Sequence, residues 1–228
     1  MRTVRIGIYG GSFNPIHFGH INTAKDLISC NYVDEIKFMV TPQSPFKVGY
    51  TNVDAFHRYQ MVKLACESDS NKLSPCDFEI RNYYNKRAAY TVDTLKAYIY
   101  SNLSRNITTD KDTHDYSADS IIYSYYFIVG MDTYATLKSF KDYKWLLNSG
   151  VVKLLVIPRD GYSTHDIKDK ELTDALFAGK NVIYANRITE TYDTSSTEIR
   201  NNIANNTLAT NLLDYKVYDY ILRNRLYQ

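Results

Sequence analysis

Short apolar runs alternate with longer amphipathic segments along most of the chain, and this alternation limits the fold more than any other feature. The first run, Val4–Tyr9, is rich in β-branched residues and is followed directly by glycines. In the next segment, 18–29, apolar residues recur at helical spacing. Strands that alternate with helices form parallel sheets, because each crossover helix returns the chain to the same end of the sheet. We therefore predict an α/β fold with a doubly wound, mostly parallel sheet and helices on both faces.

The predicted elements cover most of the sequence. Pro75 places the third strand at an edge or a bulge, because proline cannot donate to a strand ladder. Residues 101–124 are polar and lack a period until Ile121, which predicts a surface insertion. We interpret 1–228 as one domain with this insertion near 101–124 and a helical C-terminal part from about 195. The predicted strands are 4–9, 35–40, 73–80, 125–130, 151–158 and 181–186; the predicted helices are 18–29, 54–67, 90–100, 133–148, 169–179, 195–205 and 214–228.

Composition excludes several classes of protein. The net charge of the 228-residue chain is only +2, which argues against a surface that coats nucleic acid. Three cysteines without CxxC spacing disfavour a disulfide framework or zinc ribbon, and favour a reduced, cytoplasmic setting. No apolar run in the sequence approaches the length of a membrane span. We expect a soluble protein without nucleic-acid or membrane partners, and the sequence leaves open whether it forms a homo-oligomer.

The segment GIYGGSFNPIHFGH, residues 7–20, is the strongest functional signal in the sequence. Gly10 and Gly11 follow the first strand, and glycines allow a backbone to approach a ligand closely. The N-terminus of the following helix favours anions, because its N–H groups are unpaired and its dipole is positive there. His17 and His20 should share one side of that helix, where two imidazoles can donate to phosphate oxygens. The spacing matches neither GxGxxG nor GxxxxGK[ST].

Two other interpretations of this histidine pair remain open. Two histidines at this spacing can bind zinc, but no nearby cysteine, aspartate or glutamate completes a ligand set. They can also be capping or core histidines without a ligand. Their occurrence together with GGSFNP favours a phosphate site over both alternatives.

The segment GGSFNPIHFGH resembles the signature of the HxGH nucleotidylyltransferase superfamily, and it looks most like that of the bacterial nicotinate-nucleotide adenylyltransferases. Six further segments resemble that family in the same order, so the resemblance spans nearly the whole chain and implies a Rossmann-like nucleotidylyltransferase domain. These segments are SPFKVGY (44–50), HRYQMVKLA (57–65), AYTVDTL (89–95), YFIVGMD (126–132), LLVIPRDGY (154–162) and TSSTEIR (194–200).

The resemblance implies transfer of AMP from ATP to nicotinate mononucleotide, which yields deamido-NAD and pyrophosphate in NAD biosynthesis. The mononucleotide phosphate would attack the α-phosphate directly and in line, without a covalent enzyme intermediate. Mg²⁺ would arrive with ATP, since the sequence shows no dedicated carboxylate cage. The alternatives are a nicotinamide-mononucleotide adenylyltransferase, a related transferase for phosphopantetheine or a cytidylyl acceptor, and a nucleotide-binding sensor without turnover.

The resemblance also implies roles for individual residues, none of them as a metal ligand. His17 and His20 would contact the ATP phosphates, with His20 nearest the α-phosphate, and Lys47 and Arg200 would complete the catalytic group. The residues implied to bind ATP and its phosphates are Gly10, Gly11, Ser12, Phe13, Ser195, Ser196 and Thr197. Those implied to bind the mononucleotide are Thr91, Gly130, Asp132, Phe140 and Lys141.

Several of these residues also fit purely structural roles. Lys47 can be a solvated loop lysine, Thr91 can cap the helix that follows it, and Asp132 can start a helix. Ser195 and Glu198 match a capping box, a role that is compatible with phosphate binding at the same helix N-terminus.

The chain departs from the family pattern at two places. Phe46 stands where the resembled family usually has histidine. Phe140 and Lys141 stand where some members have Trp-Tyr. The ring of Phe140 can still stack on a pyridine, and the charge of Lys141 is expected to favour a carboxylate over an amide.

Overall fold

The computed structural model describes residues 2–42, 53–68, 72–83, 90–106, 121–190, 192 and 194–228. Strands in this part of the chain form one six-stranded sheet in which all neighbours are parallel. They are β1 (Arg2–Gly11), β2 (Glu35–Val40), β3 (Leu73–Cys76), β4 (Ile121–Gly130), β5 (Val152–Ile157) and β6 (Val182–Tyr184).

The strand order is β3-β2-β1-β4-β5-β6, so the winding direction reverses between β1 and β4. At such a reversal, the connections that leave the two central strands diverge and a crevice opens beyond their carboxyl ends. The third strand is an edge strand, which confirms the position predicted from Pro75.

The helices pack on both faces of the sheet, and the doubly wound prediction is therefore confirmed. They are α1 (Phe18–Ser29), α2 (Ala55–Glu67), α3 (Phe78–Tyr83), α4 (Thr91–Asn106), α5 (Met131–Ala135), α6 (Tyr143–Asn148), α7 (Lys170–Ala178), α8 (Ser196–Ala204) and α9 (Tyr215–Arg223), with 3₁₀ turns at Leu137–Ser139 and Thr164–Asp166.

Two cores form because side chains alternate along each strand. In β4, Tyr126 and Ile128 face the core that includes side chains of α1, α2, α8 and α9. Tyr125, Phe127 and Val129 face the opposite core, which includes side chains of α4, α6 and α7. The central strand is thus covered on both sides, as its continuous apolar run predicts.

Two predicted elements are wrong in part. The third strand ends at Cys76 instead of continuing to residue 80, because α3 begins at Phe78. The carboxylate of Asp77, the residue before this helix, pairs with Arg81 at 2.8 Å. The helix predicted over 133–148 is broken into α5, a 3₁₀ turn and α6. The break lies at Phe140, which is extended, and Asp142, which has a φ of 54°. Aspartate tolerates this left-handed conformation better than most residues do.

The segment predicted as an insertion near 101–124 has regular structure at both of its ends. Helix α4 continues to Asn106, and β4 begins at Ile121. The helical end was not predicted because its sequence, SNLSRN, is polar and shows little apolar period. Residues 107–120 lie outside the described part of the chain. None of the helices in the described ranges is both long and apolar enough to cross a membrane.

Candidate active site

A cavity of about 640 Å³ lies beyond the carboxyl ends of the central strands, where the strand order reverses. Its walls come from the ends of β1, β2, β4 and β5 and from the first turns of α1 and α4. This volume is in the range of pockets that enclose most of a ligand the size of a nucleotide. Most of the site residues predicted from sequence meet here.

His17 and His20 line the cavity side by side. His17 is the N-cap of α1 in an extended conformation, and His20 lies in the first turn. Their ring centroids are 3.8 Å apart with an interplanar angle of 31°, which confirms that they share one side of the helix. The Nδ1 atom of each ring is buried and has no hydrogen-bond partner in the described structure. In the described part of the chain, no hydrogen bond to Nδ1 therefore fixes the tautomer of either ring.

Both imidazoles are held in the neutral form. Burial, followed by the charge of Arg159, lowers the pKa of His17 to about 4. Burial, the neighbouring His17 and Arg159 lower the pKa of His20 well below its usual range. At neutral pH the pair thus presents two uncharged rings, and a bound polyphosphate would oppose the effect of Arg159 on both of them.

The glycines at the end of β1 are needed for packing as well as for approach to a ligand. Gly10 and Gly11 line the cavity. A Cβ atom on Gly11 would lie 2.9 Å from the ring of Phe13, so this ring occupies the space that a side chain would need. Phe13 is 3% exposed and packs against Tyr9 and Phe38 behind the cavity wall. Ser12 lines the cavity, whereas Phe13 supports it from the core.

The N-terminus of α4 forms another wall. Thr91 begins this 16-residue helix, and Thr91 and Thr94 line the cavity one turn apart. Glu79 on α3 lines the same region although it is only 5% exposed, and its Oε2 atom has no partner in the described structure. Burial raises the pKa of the Glu79 carboxyl, while the hydroxyls of Thr94 and Thr41 act in the opposite direction. The sequence analysis did not identify Glu79 or Thr94.

The residues from the end of β4 to the start of α6 fall into two groups. Gly130 and Asp132 line the cavity, and the absence of a side chain on Gly130 lets the Asp132 carboxylate fold back over it. Phe140 also lines the cavity, at the extended break before α6. Lys141 is not among the described lining residues; its Nζ atom pairs with Asp93 at 2.8 Å. The ammonium charge of Lys141, which the sequence analysis expected to favour a carboxylate substrate, is thus already partly balanced by Asp93.

The residues at the start of α8 have two roles. Some line the cavity, and others contact the segment GGSFNPIHFGH. Ser195 lines the cavity and caps α8, where its Oγ atom accepts from the Glu198 N–H at 3.1 Å. The hydroxyl of Ser196 instead donates to the Pro15 carbonyl at 2.8 Å. Thr197 is exposed, and it and Arg200 are not among the described residues that line the cavity.

Arg159 is a functional candidate that the sequence analysis missed. It is exposed, lines the cavity directly after β5, and its charge acts on both histidines. No carboxylate in the described part of the chain is within ion-pair distance of its guanidinium. Its position beyond a strand carboxyl end is the signal that would have found it. Lys47 lies outside the described residues.

The described residues contain no group of three or more histidine, cysteine, aspartate or glutamate side chains that could hold a metal ion. Asp132, Asp160 and Glu190 line the cavity without forming such a group. The donor set of the described residues therefore does not fit a metal held by the protein alone.

Comparison with known proteins identifies the family of the chain. Residues 8–202 match the family model described as Cytidylyltransferase-like. The chain is 30% identical over 222 residues to a protein of Clostridium botulinum (strain Loch Maree / Type A3) named "Probable nicotinate-nucleotide adenylyltransferase", covering 97% of this chain and 98% of the relative. It is 31% identical over 234 residues to a protein of the same name from Shewanella frigidimarina, covering 99% and 100%.

Solved structures support the fold. The nicotinic acid mononucleotide adenylyltransferase of Plasmodium falciparum, complexed with NaAD, superposes with a TM-score of 0.70 at 21% identity, covering 98% of this chain and 97% of that one. The same enzyme complexed with APC gives a TM-score of 0.69 at 20% identity. The chain therefore belongs to the cytidylyltransferase-like family and, within it, to the nicotinate-nucleotide adenylyltransferases.

Proposed function

We propose that this protein transfers AMP from ATP to the phosphate of nicotinate mononucleotide, with release of pyrophosphate. The observation that carries this proposal is the pair of adjacent neutral imidazoles at the start of α1, inside a nucleotide-sized cavity at the switch point of the sheet. The relatives named above support the choice of substrates. The product would be deamido-NAD.

The reaction is a single displacement. An oxygen of the mononucleotide phosphate forms a bond to the α-phosphorus as the bond from that phosphorus to the bridging oxygen breaks, and pyrophosphate leaves with the electron pair. Charge spreads over the oxygens of the transferred group in the transition state. Neutral imidazoles can still donate one N–H each to these oxygens, and Arg159 supplies a positive charge to the leaving phosphates.

The cavity has two sides that suit the two substrates. Thr91 and Phe140 come from elements that pack on one core, and we assign the nicotinate ring to them. The unpaired N–H groups at the start of α4 would hold its carboxylate, and the ring of Phe140 would stack on the pyridine. Ser195 comes from the side of the other core, and we assign the ATP phosphates to it. Asp132 would accept from a ribose hydroxyl between them.

We propose that Mg²⁺ enters as a complex with ATP and is held by phosphate oxygens and water. We also propose that the enzyme acts in the cytoplasm as a single domain, without nucleic-acid partners. The three cysteines, Cys30, Cys66 and Cys76, are free thiols, which supports a reducing compartment.

The direct test is to incubate the purified protein with ATP, Mg²⁺ and nicotinate mononucleotide, and to identify the products by mass. The expected result is equal amounts of the dinucleotide and pyrophosphate. The variants His17→Asn and His20→Asn should each lower kcat by about 10²-fold or more, as expected when a donor to the transition state is lost. If the wild-type protein binds both substrates and forms no dinucleotide, the proposed function is wrong.

A further inference from the structure

The carboxyl group of Glu79 is buried at the wall of the cavity and has no charged partner. Glu79 is the second residue of α3, close to the carboxyl end of the edge strand β3, and it is 5% exposed. Among the described residues, no lysine, arginine or histidine lies within ion-pair distance of its carboxyl oxygens. A glutamate is rarely buried without such a partner, because removing a carboxylate from water costs free energy.

The polar groups around Glu79 do not take the place of a cation. Burial raises the pKa of its carboxyl, and the hydroxyls of Thr94 and Thr41 act against this shift. The Thr94 hydroxyl is near the carboxyl, but neither its Oγ1 atom nor the Oε2 atom of Glu79 completes a hydrogen bond in the described structure. Two neighbouring buried polar groups at one cavity wall are thus left without a partner, which is typical of groups that serve a ligand.

Glu79 belongs to the side of the cavity to which we assigned the nicotinate ring. Thr94, its neighbour, lies one turn after Thr91 on α4, and all three residues line the cavity. One helical turn advances about 5.4 Å, a distance comparable with the width of a six-membered ring and its substituent. The same wall therefore offers N–H groups to an anion at the start of α4 and a carboxyl group to a cation about one turn further on.

The ring of nicotinate mononucleotide carries two opposite charges. Its nitrogen is bonded to the ribose, so the pyridinium is a permanent cation, whereas the carboxylate on the ring is an anion. The N–H groups at the start of α4 suit the carboxylate but not the ring nitrogen. This nitrogen has no hydrogen to donate, so only a negative charge can bind it, and a carboxylate oxygen that accepts no other hydrogen bond is suited to that task.

We propose that Glu79 is a specificity-determining residue whose carboxylate binds the positive charge of the pyridinium ring of the mononucleotide. The inference rests on the proposed function and adds a second point of recognition to it. The start of α4 would select the acidic substituent, and Glu79 would select the charged ring. The bound cation would in turn favour the ionised form of Glu79, against the effect of burial.

The test compares nicotinate mononucleotide with its benzoate isostere, the C-nucleotide in which carbon replaces the ring nitrogen. The isostere keeps the carboxylate, the ribose and the phosphate, and it lacks only the charge of the ring. Dissociation constants are measured by calorimetry without ATP. The wild-type protein should bind the nicotinate ligand at least about tenfold more tightly, as expected for opposite charges a few ångströms apart in a largely buried site.

Glu79→Gln keeps the shape of the side chain and removes its charge. This variant should bind the two ligands with dissociation constants within about threefold of each other, since its side chain no longer distinguishes the two rings. In the transfer reaction its KM for nicotinate mononucleotide should rise by about tenfold. Its kcat should stay within about threefold of the wild-type value, because the ring charge is the same in the bound substrate and in the transition state.

Glu190→Gln is the matched control. Glu190 also lines the cavity but is exposed, so the variant removes the same charge from a different and hydrated position. It should keep the wild-type preference for the charged ring. If it loses as much of the preference as Glu79→Gln does, the preference reflects the overall field of the cavity and the proposal is wrong.

Two further results would overturn the proposal. Equal affinity of the wild-type protein for the two ligands would show that the ring charge is not recognised, and this comparison needs no variant. An equal loss of affinity for both ligands in folded Glu79→Gln would assign Glu79 to the shape of the pocket. Transfer of AMP to both ligands with the same KM would refute this inference and leave the proposed function intact, whereas a protein that does not bind nicotinate mononucleotide would refute the proposed function itself.

Discussion

The neutral state of His17 should make stability depend on pH in a predictable way. Its pKa is lowered from the usual 6.5 to about 4 by burial and by Arg159. Between these two values the unfolded chain binds a proton that the folded protein does not bind, so the free energy of unfolding must fall as the pH falls from 6.5 towards 4. Above pH 6.5 this histidine should have no such effect, because it is neutral in both states.

The expected size of this effect follows from the two pKa values. Relative to pH 7.5, the wild-type protein should lose about 1.3 kcal/mol at pH 5.5 and about 2.5 kcal/mol at pH 4.5 through His17. The variant His17→Gln lacks this loss. The stability of the variant minus that of the wild type should therefore rise by these amounts as the pH is lowered.

Urea unfolding at pH 7.5, 5.5 and 4.5 measures this difference, with the fluorescence of Trp145, the single tryptophan, as the probe. A difference for His17→Gln that stays constant across the three pH values would refute the conclusion that this ring is buried in the neutral form.

Three further predictions concern individual contacts. Gly11→Ala should lower the free energy of unfolding by about 1–3 kcal/mol in urea titrations, because the new Cβ atom would lie 2.9 Å from the ring of Phe13; an unchanged midpoint would contradict this packing. Arg159→Gln should raise the pKa of His17 in an NMR titration, because a positive charge near the ring is removed. It should also weaken ATP binding by about tenfold, because the same charge would attract the phosphates. If neither the pKa nor the ATP affinity changes, Arg159 does not belong to the site. Lys141→Ala should leave the preference for the acid over the amide within about twofold in competition assays, because its ammonium is already engaged in an exposed ion pair; a tenfold loss would restore the role expected from its position.

The main features of the fold could be predicted because they depend on local patterns. Strand β1, helix α1 and the edge position of β3 follow from apolar period, glycines and a proline. The break at Phe140 could not be predicted in this way, because the segment has good helical spacing and no local pattern marks Asp142 as left-handed. The helical end of the segment near 101–124 was not predicted because the last residues of α4 are as polar in composition as a loop.

The site residues also differ in whether a local sequence pattern reveals their role. The proximity of His17 and His20 follows from helical spacing, and the structure agrees. The burial of Phe13 and the contacts of Arg200 depend on residues far apart in the chain, and a motif does not reveal which way a side chain points. The sequence does contain a signal for Arg159, because this residue follows the carboxyl end of a predicted strand.

Transfer of AMP by this protein to nicotinate mononucleotide can be tested most directly through the rate of pyrophosphate release. Each reaction contains ATP, Mg²⁺ and one acceptor, and parallel reactions use nicotinate mononucleotide, nicotinamide mononucleotide or phosphopantetheine. We predict that kcat/KM is highest for the nicotinate substrate, with at least a tenfold preference over the amide, as expected when a site binds one polar group and its analogue lacks it. Equal or greater use of the amide would contradict the assignment of the carboxylate to the start of α4. Release with phosphopantetheine alone would contradict the proposed function itself.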